Sequence, residues 1–506
     1  MRLRRQIDGA PGEIALAVLS ALAPALTEAV PSMGVIRLDP SGDAKPAPVA
    51  KGAGWRAKVP HGHVGFSLLG DGFTVWPGRV TAAWARSAQS TLSGTLDVRI
   101  DLAQGSFFKE SEPGRLGLFV GGPIERALLG AQAFLTGVRS IHASASDGAW
   151  TIPLSASCVG QRECVSDRGD PSMAAMVALN WPRTNCFLEV TGLHCPAATA
   201  GLVLRFEFMP GFIDVVEHVK AHLRMNCAPV SNRYAGAPFS IDMSSITSPT
   251  LTLPRPNVAA SAWDVLTVRV VKLLRDGAEL ELPHLQDAPT AQAFWTTSRR
   301  WRATEREGVA GLCVQLLDSH QRPALPQGAA TVVVHADLTD CTLAEHVAAG
   351  DLLAGDSPSG YRTQMESPPT AYVPAPDAAC DGSAALVSAL TWRASSADGE
   401  GELVAKLRGF LLCHLRLPNP ATAATIEALE SVRRQAVAVP WRGPERQRGV
   451  SLAWRQELRY RSGTLPLPHY FMSRLIARIL RAQGAAGEPA GQVVHCCPLA
   501  GDVDVR

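Results

Sequence analysis

Thr95-Leu-Asp-Val-Arg-Ile-Asp-Leu102 alternates without a break, with Leu96, Val98, Ile100 and Leu102 on one face and Asp97, Arg99 and Asp101 on the other. Side chains along a strand point to opposite faces with a period of two, so the pattern is that of a half-buried antiparallel strand. Its neighbours read the same way. Val35–Leu38, His63–Leu69, Phe73–Trp76 and Val80–Trp84 are short runs rich in β-branched or aromatic residues, bounded by Gly, Pro and Asp. Leu116–Val120, Val265–Leu273 and Thr331–His335 extend the series. Helices interrupt it. Gly121-Gly-Pro123 opens one through Ile124, Ala127, Leu128, Ala131 and Leu135, with Pro at the first helical position. A second is expected over Phe212–Leu223, and others at Glu402–Leu415, Ala421–Arg434 and Tyr470–Arg481. The fold class is therefore α+β and multi-domain, mostly antiparallel β-rich domains with interspersed helices.

The chain has 506 residues with a formal charge of +2, which excludes a surface built wholly to wrap nucleic acid or anionic lipid. At about 100–200 residues per domain, this length gives roughly three domains. We divide the chain into a helix over 1–30, a β-rich domain over 31–210 with a helix at 123–136, and a middle α+β domain over 211–354. A Pro-rich linker or insertion follows over 355–383, then a carboxyl-terminal α+β domain over 384–482 and a disordered tail over 483–506. Seven lysines against 41 arginines accompany an Ala-, Gly- and Pro-rich composition, which reflects a GC-rich genome rather than guanidinium chemistry.

The first residues imitate a secretory signal, with Met1-Arg-Leu-Arg-Arg5 before an apolar run from Ile14 to Leu26. Asp8, Gly9, Pro11 and Glu13 intervene, and Ile14, Val18, Ala21, Leu22 and Ala25 fall at helical spacing, so an internal amphipathic helix is the preferred reading. No stretch reaches the roughly 20 apolar residues of a membrane span, and we expect no direct membrane insertion.

Chemistry-bearing patterns are weak. Eleven cysteines include no CxxC pair, and several sit in apolar strings where a thiol acts as a small hydrophobe in a reducing compartment. Cys158, Cys164, Cys186, His194 and Cys195 form a Cys/His-rich window with no known zinc spacing, and buried thiols are the simpler account. His218 and His222 lie four apart, but Val219 stands where a zinc protease needs Glu. There is no phosphate-cradling Gly motif and no nucleophile elbow. We expect no enzyme, no cofactor and no metal. One local signal remains: eight arginines between 433 and 461, with Trp441, Trp454 and Tyr460 interleaved. That is the grammar of a single-strand nucleic-acid groove. A solvated strand face, or a surface meeting an acidic protein, explains it more simply. Arg442, Arg446, Arg448, Arg455, Arg459 and Arg461 are retained as a candidate protein interface, and nucleic acid is not expected.

Read in order, several short motifs form a collinear set: Val30-Pro-Ser-Met33, Val64-Gly-Phe66, Phe73-Thr-Val-Trp-Pro77, Val80-Thr-Ala-Ala83, Leu116-Gly-Leu-Phe-Val-Gly121 and Leu223-Arg-Met-Asn-Cys-Ala-Pro-Val-Ser-Asn232. Phe294-Trp295 with Arg299-Arg300 follows, then Leu390-Thr-Trp392. This set resembles the TssF (VasA/ImpG) family of type VI secretion baseplate subunits. The residues carrying the likeness are Pro31, Ser32, Met33, Trp76, Pro77, Asn226, Cys227, Pro229, Val230, Asn232, Trp295, Arg299 and Arg300. Their expected role is structural, with Asn226–Asn232 as a compact turn in which Pro229 fixes φ and the asparagines satisfy loop backbone groups.

The family's usual leading helical segment, with a Y-Y-x-x-E-L pattern, is absent, so either Met1 is a misplaced start or the member is shortened and diverged. An element of the family appears degraded as Leu338-Thr-Asp-Cys-Thr-Leu-Ala344. The resemblance implies a cytoplasmic baseplate wedge docked to the inner-membrane complex. Its implied partners are a TssG-like wedge partner, a second copy of itself, a TssE-like sheath initiator, a TssK-like adaptor and the spike protein. Obligate interfaces of this kind bury roughly 2,000 Å² or more. Two alternatives are a wedge from a phage or other contractile particle, and an exported β-rich zinc-dependent enzyme or binding module.

Overall fold

The computed structural model describes residues 24–60, 62–87, 94–164, 171–253, 263–275, 278–285, 293–300, 311–325, 331–375, 400–442, 448–461, 469–483, 492–497 and 501–505. The expected amino-terminal helix falls outside these residues, apart from a 3₁₀ turn at Pro24–Leu26.

The decisive strand forms as expected. Gly94–Leu102 buries Leu96, Val98 and Ile100 completely and lies inside a five-stranded antiparallel sheet. Its neighbours are Gly78–Ser87 on one side and Gly201–Phe208 on the other; Val138–Ala145 and Thr151–Ser155 continue beyond the latter. A four-stranded sheet of Val159–Gln161, Phe187–His194, Pro113–Val120 and Leu223–Met225 shares the same core. Helix Ile124–Thr136 packs into it through Ala127, Leu128, Ala131 and Phe134, and the Phe134 ring meets Phe206 edge-on at 5.1 Å. Pro123 precedes the helix as its cap in extended conformation rather than taking its first position. Helix Ile213–Val219 then tightens to a 3₁₀ turn at Lys220–His222, with Val216, Val219 and Leu223 buried.

Six short strands close into a barrel, in the order Met33–Pro40, Cys227–Ser231, Gly62–Leu68, Gly54–Val59, Leu352–Gly355 and Tyr361–Ser367. The last pairs back onto the first, with Val35 opposite Ser367 and Pro40 opposite Tyr361. Period-two alternation explains the closure. Trp55, Ala57 and Val59 point inward with Val64, Phe66 and Leu68, while Arg56 and Lys58 point to solvent. Cys227–Ser231 and the first half of Met33–Pro40, through Ile36, are buried on both faces. Ile36, Leu38, Ala228 and Val230 fill the barrel, whereas Val35 and Cys227 belong to the neighbouring sheet core.

A third core lies between the strands Asp264–Arg275, Ala278–Leu282 and Thr331–Thr339 and the sheet of Thr250–Thr252, Gly311–Asp318 and Ala293–Arg300.

Three expectations change. Residues 355–383 are not simply a linker, because Tyr361–Ser367 completes the barrel through alternately buried Tyr361, Thr363, Met365 and Ser367. The helix expected over Ala421–Arg434 is Pro420–Glu427, and the chain turns into strand Leu429–Arg442, which is held by Arg448–Tyr460. The tail read as disordered contains strands Gln492–Cys497 and Gly501–Val505, the former parallel to Arg448–Tyr460. Nor do consecutive segments make separate cores. Leu403, Leu407, Phe410, Leu475 and Ile479, from helices Glu400–His414 and His469–Gln483, join the cluster that begins at Leu26. Asn180 ties the two ends together, donating to the His414 carbonyl at 2.7 Å and accepting from the Arg416 and Leu417 amides.

Candidate functional site

The motif Asn226-Cys-Ala-Pro-Val-Ser-Asn232 is not a turn. Cys227–Ser231 is a fully buried barrel strand, and the two asparagines stand at its ends. Pro229 is tolerated because the ladder to Gly62–Leu68 covers only Val230 and Ser231, so its missing N–H falls where that ladder stops. Its carbonyl still accepts from the Leu69 amide at 2.9 Å.

Asn226 adopts φ +54°, a left-handed conformation that asparagine tolerates better than most residues. That kink aims its amide at the Trp76-Pro77 turn. The Trp76 amide donates to Asn226 Oδ1 at 3.0 Å, and Nδ2 donates back to the Trp76 carbonyl at 2.7 Å and to that of Gly78 at 3.3 Å. The Asn226 carbonyl accepts from the Leu38 amide at 3.0 Å. One side chain thus joins barrel and sheet, using two motifs 150 residues apart. The Trp76 ring lies 5.0 Å from the buried Phe108 ring.

Asn232 does the same at the other end. Its amide donates to the Ser32 carbonyl at 2.7 Å, and its side chain donates to the Gly65 carbonyl at 2.6 Å and to Asp340 Oδ2 at 3.0 Å. Oδ1 accepts from the Thr339 hydroxyl and the Asp340 amide, at 2.6 and 2.7 Å. Asp340 also accepts from the Gly65 amide and the Tyr234 hydroxyl, both at 2.7 Å. Burial, and then the hydrogen bond to Asp340, push the Tyr234 phenol well above its ordinary range. The junction therefore locks the barrel to the end of strand Thr331–Thr339 in the third core. Every polar atom of the Asn232 side chain is used, as burial requires.

The remaining motif residues distribute around this frame. Met33 exchanges hydrogen bonds with Thr370, while Pro31 and Ser32 lead into the barrel. Ser32 is fully buried, and its hydroxyl has no partner among the described residues. The Cys227 carbonyl accepts from Arg162 at 3.4 Å, and that guanidinium lies 4.3 Å over the Phe73 ring. Trp295 lies in the third core, apart from the junction, and its indole donates to the Leu282 carbonyl at 3.0 Å. Arg299 and Arg300 end its strand, and their side chains lie outside the described residues.

Sequence reasoning missed Tyr234, Thr339 and Asp340 as members of the site. Two signals were available: the Leu338–Ala344 element, and Gly65, where a Cβ would fall 2.8 Å from the Tyr234 ring.

The arginine-rich stretch is the hairpin of Leu429–Arg442 and Arg448–Tyr460. The first strand runs through Arg442 and the second begins at Arg448; residues 443–447, Arg446 among them, lie outside the described residues. The side chains of Trp441, Arg442, Arg448, Trp454 and Arg455 lie outside them too. Arg459 pairs with Glu457 at 2.8 Å and Arg461 with Glu430 at 3.5 Å, both largely in solvent. Tyr460 offers no stacking platform, because its ring is already stacked on His469 at 4.3 Å and its hydroxyl meets Ser473.

Among the described residues no group of three or more His, Cys, Asp or Glu side chains could hold a metal ion. His218 is exposed, with Nδ1 2.6 Å from the Asp214 carbonyl. Cys164, Cys186 and Cys195 are buried free thiols; burial pushes Cys164 up to about 11 and Cys186 up to about 12. No helix among the described residues is long and apolar enough to cross a membrane.

The fold is that of a protein built from β-rich units around a barrel, with the side-chain amides of Asn226 and Asn232 consumed in joining them. The sequence model of the family "Type VI secretion system, TssF" matches residues 1–457, and the chain belongs to that family. Its fold is similar to that of a chain in the type VI secretion system TssK-TssF-TssG baseplate subcomplex, seen by cryo-electron microscopy. The TM-score is 0.78 at 14% identity, covering 100% of this chain and 96% of that one. No curated protein matches the chain by sequence.

Proposed function

We propose that this chain is a non-enzymatic wedge component of a type VI secretion baseplate, holding other subunits through protein surfaces. The observation that carries the reading is the family match over residues 1–457. The likeness to a chain of the TssK-TssF-TssG subcomplex supports a TssG-like wedge partner and a TssK-like adaptor as direct neighbours. A second copy of this chain, a TssE-like sheath initiator and the spike complete the assembly we infer, in the cytoplasm and docked to the inner-membrane complex. The Asn226 and Asn232 junctions support this role, since subunits that transmit force between large interfaces need their own units held in one orientation. The test is co-expression with the TssG-like and TssK-like subunits of the same genome, followed by size-exclusion chromatography. A stable co-eluting complex is the expected result. A clean monomer that ignores both partners overturns the reading.

A further inference from the structure

The outer face of the barrel carries a groove that borders the Asn232 junction, with Gly65, Tyr234 and Asp340 in its lining. A cavity of ≈ 1300 Å³ lies over strands Gly54–Val59, Gly62–Leu68, Leu352–Gly355 and Tyr361–Ser367, beside the third core. Arg56, Lys58, His63 and Arg362 line it, all exposed. None of the four has an ion pair or side-chain hydrogen bond among the described residues. The two carboxylates in the lining are engaged elsewhere: Asp340 in the Asn232 junction, Asp356 on the Gly54 amide at 2.8 Å.

Register explains why this is a groove. Arg56 stands between Ala354 on one neighbouring strand and Gly65 on the other, and Lys58 stands opposite His63. Small residues on both sides leave the Arg56 guanidinium unshielded, with Tyr234 packed over Gly65 as one wall. Leu352, 49% exposed, adds an apolar contact at the other side.

We propose that this face docks an extended, acidic segment of a partner protein carrying an apolar residue. Charge complementarity names the occupant. Arg56 and Lys58 point the same way from one strand, two residues and so about 7 Å apart, which is also the spacing of same-face side chains in an extended partner. Alternating Asp or Glu on such a segment meets both cations, with a neighbouring apolar side chain left for Leu352. A nucleic acid fits less well, because the aromatic rings of the lining are already committed, Trp55, Phe66 and Tyr361 by burial and Tyr234 by packing on Gly65, and because Asp356 also lines the groove.

The test uses the full chain and a fluorescein-labelled synthetic peptide of alternating Glu and Leu, followed by fluorescence anisotropy. Its controls are the same peptide with Lys replacing Glu, and labelled oligouridylate. The wild-type chain is expected to bind the acidic peptide, to ignore the basic one, and to lose affinity as salt rises. The combined variant R56E/K58E/R362E should weaken acidic-peptide binding by at least about tenfold, because it turns attraction into like-charge repulsion. Leu352→Ser should weaken it by a smaller factor at unchanged salt dependence. If the triple variant fails to fold, Lys58→Glu alone carries the same expectation at reduced size. Absence of acidic-peptide binding, unchanged binding in the charge-reversed protein, or tighter binding of oligouridylate would each overturn the proposal. None of these results bears on co-elution with baseplate subunits, so the two readings fail separately.

Discussion

The Asn226–Asn232 strand and the arginine-rich hairpin are the two stretches whose polar residues stand out in the sequence, and they spend that polarity in opposite ways. In the barrel strand the polar side chains are buried at the ends, and each meets backbone groups from segments over 100 residues distant. In the hairpin, Arg459 and Arg461 lie mostly in water and pair with acids on the same hairpin. A buried amide with every hydrogen bond satisfied specifies one arrangement, because no other packing satisfies the same atoms. An exposed ion pair trades one solvated geometry for another and specifies little. Conspicuous polarity is thus a poor guide to structural weight unless burial is known.

Four measurements would break or sharpen this contrast. The largest effect is expected in thiol chemistry. Burial holds Cys227 well above the ordinary thiol range and Cys186 at about 12. At pH 8 the unfolded chain, with thiols near about 8.5, carries roughly a thousandfold more thiolate at position 186. Reaction with an aromatic disulfide reagent should therefore wait for unfolding at both positions, and rapid native labelling mapped to Cys227 would place that strand in solvent. The sign for stability follows. As pH rises above the unfolded thiol value the unfolded state loses protons first, so stability is full below about pH 8.5 and declines toward the folded values.

Asn232→Ala comes next. It leaves the Gly65 carbonyl and the Asp340 amide unpaired and opens a void, at an expected cost of roughly 3–5 kcal/mol in urea unfolding. A loss below about 1 kcal/mol would mean that the junction contributes little. Asn226 separates geometry from hydrogen bonding. Asn226→Gly keeps the left-handed backbone and should cost about 1–3 kcal/mol for the lost amide, with Asn226→Ala costing about 1 kcal/mol more for the strained φ. Equal losses in the two variants would remove the backbone argument. Arg459→Ala and Arg461→Ala should each fall within about 0.5 kcal/mol of wild type, and a larger loss would show that the hairpin arginines are structural after all.

Much of the architecture was legible. Strands Gly94–Leu102 and Asp264–Arg275, and helix Ile124–Thr136, follow from local periodicity that any core-facing element must show. Tyr361–Ser367 also alternates, but the prolines after it outweighed seven residues of pattern, and only pairing with Met33–Pro40 shows its place. Residues 428–434 read as helix because the Ala-rich run before them continues without a breaker; a cross-strand partner, Arg448–Tyr460, decides the matter instead. Asn226, Asn232 and Trp76 were legible as motif residues, yet their contacts were not, since nothing local tells an asparagine which distant carbonyl it will meet.

What the amino-acid order determined alone is a core of strongly periodic elements and the faces they bury, strands Gly94–Leu102 and Asp264–Arg275 and helix Ile124–Thr136 among them, because these rest on spacing within a few residues. The tertiary structure decided the rest: that strands from residues 33–68, 227–231 and 352–367 close one barrel, that the Asn226–Asn232 motif is a strand between two locks, and that Arg56, Lys58 and Arg362 share one open face. Those are long-range facts. Each depends on which segments pay the entropy of meeting, and that is settled by the burial and hydrogen bonding of the whole chain at once.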